Sequence, residues 1–143
     1  MMTGSLAVAV AVSFVWLGMV LAISFVEAPL KFRAPGVTVQ IGLGIGRLVF
    51  RALNAIEGVL AAALLIAVVG AAPPPSALVA VLVACGALLA QLVGVRPWLN
   101  RRTKAVLAGG ASGGRSRGHH AYVVLECLKV IALLVGGVLL LGG

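Results

Sequence analysis

Asn54 and Glu57 are polar side chains inside a long apolar stretch of this chain. The stretch runs from Arg47 to Gly70 (RLVFRALNAIEGVLAAALLIAVVG), and no charged residue follows Glu57 before Arg96. A carboxylate in such surroundings is costly to bury unless it is paired or protonated. Its chemistry is therefore that of a group that binds a proton or a cation.

All three acidic residues of the chain, Glu27, Glu57 and Glu126, lie near one border of an apolar segment. Asn54 lies one helical turn before Glu57, and Lys129 lies one turn after Glu126. We interpret these five residues as a candidate polar site for a proton or a cation. If the first helix continues past its border, Glu27 can also pair with a lysine four residues later.

A structural interpretation of the same acidic residues stands beside the functional one. In it, Glu57 pairs with Arg47 or Arg51, and Glu126 pairs with Lys129, so that the pairs fix the depth and packing of the helices. Paired charges of this kind stabilise a bundle without binding any substrate.

Other reactive residues point less clearly to chemistry. His119 and His120 are weak metal candidates, because adjacent side chains point about 100° apart on a helix. Cys85 and Cys127 lie in apolar segments without a metal-binding or redox spacing, so we interpret them as packing residues. The sequence identifies no catalytic residue and no cofactor, and favours a protein that is not an enzyme.

The elements that carry these residues are predicted to be membrane helices. The chain is 62% hydrophobic and 10% charged, far from the composition of a soluble domain. A helix that crosses a bilayer needs about 20 apolar residues, and four segments meet this length, at residues 6–26, 48–69, 77–95 and 121–141. We predict an all-α membrane protein with one domain, a four-transmembrane-helix bundle. The first segment lacks a preceding basic region, which predicts a retained helix and not a cleaved signal peptide.

Proline and glycine mark the predicted borders of these segments. Pro29 and the charges around it are expected to end the first helix. Residues 36–46 alternate apolar with small residues, which predicts an interfacial loop with flexible glycines; an anion-binding nest beside Arg47 is the alternative. Residues 73–75 are three prolines and predict a tight turn, whereas residues 108–118 predict a flexible linker.

Basic residues predict the orientation in the membrane. Ten of the eleven lysines and arginines lie in or beside the loops after the first and third segments, which predicts an inner (plasma) membrane protein with cytoplasmic basic loops and both termini extracytoplasmic. The net charge of +8 then indicates anionic lipid headgroups as partners and not nucleic acid. The candidate headgroup contacts are Arg47, Arg51, Arg101 and Arg102. We also expect a homo-oligomer or a membrane partner.

An internal repeat is visible in the spacing of these features. Pro29 and Pro97 are 68 residues apart, and Glu57 and Glu126 are 69 apart. The bundle is therefore predicted to consist of two hairpin repeats with the same orientation in the membrane.

Several short motifs resemble one family of membrane proteins. They are WLGMVLAISFVEAPLKF, GRLVF, PWLNRRT and HHAYVVLE, and they are similar to the four-span family that includes transmembrane protein 205 and its bacterial relatives. The resemblance implies four helices, family roles for Pro29, Arg101, Arg102 and His120, and a link to drug or metal resistance. From the chain as a whole we predict a function in proton- or cation-linked transport, or as a transport or stress accessory.

A second resemblance covers Arg51 to Glu57 (RALNAIE). This run is similar to the start of the second helix in the membrane-associated enzymes of eicosanoid and glutathione metabolism, which are trimers of four-span subunits. The resemblance implies a glutathione-type membrane transferase in which Arg51, Asn54 and Glu57 bind the thiol cofactor. A structural partner subunit is a third hypothesis.

Overall fold

The computed structural model describes residues 4–95 and 117–142 of the chain. They form four long helices: α1, Gly4–Arg33; α2, Val39–Ala71; α3, which consists of Pro75–Ala90 and the segment Gln91–Val95; and α4, Arg117–Gly142. No strand occurs in these residues, so the all-α prediction is confirmed. Each of the four is long enough and apolar enough to cross a membrane. The α-helical part of α3 continues as a π-helical turn, Gln91–Val95.

Helix α1 continues through Pro29 and ends at Arg33. The end lies among the charges around Pro29, as predicted, but the proline itself does not end the helix. The regular α-helix extends over Gly4–Val20, widens to a π-helix over Leu21–Glu27, and closes with a turn of 3₁₀-helix at Lys31–Arg33. A proline has no N–H to donate and its ring crowds the carbonyl four residues earlier. The wider π-helical turns ahead of Pro29 are where this conflict is absorbed.

Helix α2 begins at Val39, so the predicted interfacial loop over residues 36–46 is also wrong. The chain turns through Gly36, whose φ is +82°, and the Thr38 hydroxyl caps the new helix by accepting from the Ile41 N–H at 3.1 Å. With Thr38 as the cap, the glycines that follow are inside α2 and let α1 approach closely. A side chain at Gly42 would overlap the Phe32 ring.

The predicted proline turn between the second and third helices is present. Ala72 ends α2 in the left-handed conformation with φ 48°. Helix α3 then begins at Pro75, at a position where a missing N–H costs nothing because the first N–H groups of a helix have no partner within it.

The bundle packs around α1 and α4. Helix α1 lies against α2 and α4, and α3 lies mainly against α4. Small residues permit these approaches: Gly136 of α4 lies against Ala80 of α3, and Gly137 faces the Phe14 ring of α1. The apolar core includes fully buried Leu64 and Leu140.

Candidate functional site

Lys129 of α4 lies at the centre of a buried group of charges. Its ammonium is 2.5 Å from Glu57 Oε2 of α2 and 2.5 Å from Glu126 Oε1, one turn earlier on α4. The side chains of Lys129 and Glu57 are 0% exposed and that of Glu126 is 2% exposed. One lysine therefore binds two carboxylates from two helices, away from solvent.

Helices α1 and α3 complete the site with neutral hydrogen-bonding groups. Gln91 Oε1 accepts from Lys129 Nζ at 2.8 Å, and Gln91 Nε2 donates to Glu126 Oε1 at 2.8 Å. The Trp16 indole N–H donates to Glu57 Oε2 at 2.7 Å, and the Ser24 hydroxyl donates to Glu126 Oε2. We call Trp16, Ser24, Glu57, Gln91, Glu126 and Lys129 the buried network; every one of the four helices contributes to it.

Both π-helical segments supply a member of the buried network. Ser24 lies within Leu21–Glu27, and Gln91 is the first residue of Gln91–Val95. A π-helical turn contains one more residue than an α-helical turn and so rotates the side chains that follow it. The two π-helical segments therefore lie where polar side chains contact the buried charges.

Two buried oxygen atoms beside the network have no hydrogen-bond partner in the described part of the chain. They are Glu57 Oε1 and Asn54 Oδ1, one helical turn apart on α2. Asn54 is 7% exposed. Both oxygens of Glu126, in contrast, have partners. Oε1 contacts Lys129 and Gln91, and Oε2 accepts a hydrogen bond from Ser24.

An aromatic layer lies next to the network. Lys31 Nζ lies 5.7 Å from the centroids of both the Phe32 and the Phe50 rings, and Phe50 meets Tyr122 edge to face at 5.8 Å. The Tyr122 carbonyl also accepts a hydrogen bond from Gln91 Nε2 at 3.3 Å. The Lys31 side chain is itself only 9% exposed.

Glu27 is not part of the buried network, although the sequence suggested one shared depth for the three glutamates. Its side chain is 36% exposed and lies 3.8 Å from Lys31, four residues later on α1. This is the i, i+4 pair that a longer first helix predicts. Of the five residues of the predicted site, three make direct contact, Asn54 lies beside them, and Glu27 lies apart.

The arginines do not pair with Glu57 as the structural interpretation suggested. Lys129 is the partner of Glu57, whereas Arg47 is half-buried and Arg51 is exposed. The expected pair of Glu126 with Lys129 is present. The lysine therefore serves both carboxylates, because the packing of α2 and α4 on α1 brings Glu57 to the face of α4 that carries it.

The remaining predicted residues contribute little to the described site. Arg101, Arg102 and the side chain of His119 lie outside the described residues. His120 is exposed at the start of α4. Among described residues, no group of three His, Cys, Asp or Glu side chains could hold a metal ion.

Three members of the network were missed by the sequence reasoning. Gln91 had a usable signal, because it is the only polar side chain in the apolar segment 77–95. Ser24 and Trp16 had none, since a serine and a tryptophan in a membrane helix are most often packing residues. Their roles follow from helix packing and from the π-helical rotation at Ser24.

Comparisons of the chain with models of protein families, with curated proteins and with solved structures find no match. The two family resemblances noted in the sequence remain predictions.

Proposed function

We propose that this chain is an integral membrane protein with four transmembrane helices that acts in proton- or cation-linked transport, directly or as a transport or stress accessory. The observation that carries the proposal is the buried contact of Lys129 with both Glu57 and Glu126. Two carboxylates and one ammonium sum to one negative charge when all are ionised. In a low-dielectric interior such an excess charge is neutralised by a bound proton or cation.

Helix lengths support a position of the network within the bilayer. Lys129 lies 13 residues before Gly142, and Glu57 lies 14 residues before Ala71, which at 1.5 Å per residue is about 20 Å in each case. A hydrocarbon layer about 30 Å thick that begins near these helix ends would contain both side chains. Charged groups inside a membrane are typical of ion pathways.

The orientation that we propose follows the basic residues. The ends of α1 and α4 near Gly4 and Gly142, together with the proline turn, face the extracytoplasmic side, and the basic loops face the cytoplasm. Arg47 and Arg51 on the first half of α2 would then lie near anionic headgroups at the cytoplasmic border of an inner membrane.

The spacing of the π-helical segments supports two hairpin repeats. Leu21–Glu27 in α1 and Gln91–Val95 in α3 begin 70 residues apart, close to the spacing of the repeated glutamates and prolines. In each proposed hairpin the first helix contains a π-helical segment, and the second contains a glutamate of the network. Repeats of this orientation often bind a substrate or ion between them.

No observation favours the glutathione hypothesis over the transport hypothesis. Arg51 is exposed, whereas Asn54 and Glu57 are buried, and Glu57 already contacts Lys129 and Trp16. The three side chains of the resembling run therefore do not form one open surface within the subunit.

Ion flux through reconstituted protein tests the proposed function. Liposomes that contain the protein and a trapped indicator dye are given a gradient of protons, Na⁺ or K⁺, and dissipation is compared with that in protein-free liposomes. We expect faster dissipation of at least one gradient and its loss in Glu57→Gln. Glu27→Gln is the matched control, because it makes the same chemical change on a partly exposed side chain outside the buried network, and it should keep the flux. Equal rates with and without wild-type protein for all three ions would contradict direct transport by this chain.

A further inference from the structure

We propose that Glu57 holds an exchangeable proton on Oε1 and donates it in a hydrogen bond to Asn54 Oδ1. The inference deepens the proposed function and rests on it for the low-dielectric setting, since it names the proton as the ion and Glu57 as its carrier. Glu57 Oε1 and Asn54 Oδ1 are buried and have no hydrogen-bond partner among the described residues. The proposed bond gives each of them a partner.

The two carboxylates differ in the hydrogen-bond donors that surround their oxygens. Glu126 has donors at both oxygens: Lys129 and Gln91 at Oε1, and Ser24 at Oε2. An ionised carboxylate can only accept, so Glu126 is suited to stay ionised. Glu57 has donors at Oε2 alone, from Lys129 and Trp16, and its Oε1 is buried without one.

One added proton satisfies both orphaned atoms. A protonated Oε1 is a donor, and Asn54, three residues earlier on the same helix, presents an acceptor that also has no partner. A buried acceptor without a donor is unfavourable. A single O–H···O bond between the two side chains therefore removes two such groups at once.

The charge count requires the same proton. The charged groups in contact within the described network are Glu57, Glu126 and Lys129; Trp16 of α1 and Gln91 of α3 are neutral. Arg51 is exposed and makes no ion pair with Glu57. With the proton on Glu57, the ionised pair of Glu126 and Lys129 leaves the buried network electrically neutral.

Lys129 also argues against a metal cation at this place. Its ammonium lies 2.5 Å from one oxygen of each carboxylate, and so occupies the position between them that a metal ion would take. Proton binding needs no such space: a lone pair of Glu57 Oε1 forms the new O–H bond, and release returns the proton to water.

Matched amide substitutions test which carboxylate holds the proton. Glu57→Gln imitates a protonated carboxyl, because the amide NH₂ can donate to Asn54 Oδ1 while its carbonyl still accepts from Lys129 and Trp16. We expect its melting temperature to stay within about 3 °C of wild type. In Glu126→Gln the Ser24 hydroxyl can turn to accept from the new NH₂ group, but the ionised partner of Lys129 is lost. We expect its melting temperature to fall by about 10 °C. The reverse order would overturn the proposal.

Infrared spectroscopy of the full chain in lipid reads the proton directly. Wild type at neutral pH should show the C=O stretch of a protonated carboxylic acid; Glu57→Gln should lose it, and the control Glu27→Gln should keep it. Asn54→Ala should shift its frequency, because the acid loses its hydrogen-bond acceptor. A missing band, or one that Asn54→Ala leaves unmoved, would overturn the assignment. A correctly assigned band without ion flux would instead reject transport alone.

Discussion

At the residue scale, the network depends on a match between donors and acceptors around Lys129. An ammonium has three N–H donors, and three acceptors surround this one: Glu57 Oε2, Glu126 Oε1 and Gln91 Oε1. Arginine would bring a planar group with five donors, two more than the acceptors observed. A compact lysine is thus the basic residue that this buried space can satisfy.

Trp16 of α1 binds Glu57 of α2 through its indole N–H. Trp16→Phe deletes the indole N–H that donates to Glu57 Oε2 and leaves a buried aromatic ring. We expect a loss of about 1.5 to 2.5 kcal/mol in the free energy of unfolding, measured by denaturant titration in detergent. A hydrogen bond to a neutral partner contributes about 0.5 to 1.5 kcal/mol, and the cavity beside the smaller ring adds about 1 kcal/mol.

Ser13→Ala is the control for Trp16→Phe. The Ser13 hydroxyl is equally buried on α1, but it donates to the Ala9 carbonyl of its own helix at 2.8 Å, a bond that adds little to stability. We expect this variant to unfold nearly as wild type does. A Trp16→Phe variant as stable as Ser13→Ala would show that the bond to Glu57 does not contribute.

At the element scale, the lengths of α1 and α2 are set by contacts that the sequence pattern does not display. Apolar runs predicted four helices, but Pro29 and the glycines of residues 42–46 suggested that two of them were shorter. The π-helical segment accommodates the proline, and the Thr38 cap with the Phe32 contact keeps the glycines helical. Such local tertiary contacts override intrinsic propensity.

The packing of Phe32 on Gly42 gives a direct test of this longer α2. Gly42→Ala would place a methyl group within the Phe32 ring, and we expect a net loss of about 1 to 2 kcal/mol of stability from overpacking. Gly44→Ala is the matched control, since its Cβ would meet no atom within 4 Å. In a helix it should gain up to about 1 kcal/mol. If residues 42–46 formed a loop, the two variants would behave alike.

The sequence predicted only part of the candidate site, because contacts between distant helices are not visible in local spacing. Helical spacing and burial in apolar segments single out Asn54, Glu57, Glu126 and Lys129 from the sequence. The partner of Glu57 is 72 residues away on α4, and local spacing favoured the nearby Arg51. The neutral members of the network depend on how four helices cross and on π-helical rotation, which periodicity alone does not encode.

At the scale of the whole molecule, the distribution of basic residues makes the orientation testable. An enzymatic reporter that works only outside the cytoplasm, fused after Gly143, should be active in cells. A second reporter inserted at Gly36, between α1 and α2, should be inactive because that loop is proposed to be cytoplasmic. The opposite pattern would reverse the orientation, and activity at both sites or at neither would contradict the three crossings proposed between them.

Lys129 neutralises buried Glu126 in a network shared by all four helices, and a double-mutant cycle measures this interaction. Lys129→Met leaves a buried charge unpaired and should cost about 3 to 5 kcal/mol of unfolding free energy. Adding Glu126→Gln removes that charge and should recover much of the loss, whereas adding Glu27→Gln should recover none. A coupling energy of at least about 1.5 kcal/mol between Lys129 and Glu126 is the predicted result. Additive effects of the two substitutions, or a Lys129→Met variant as stable as wild type, would contradict the claim.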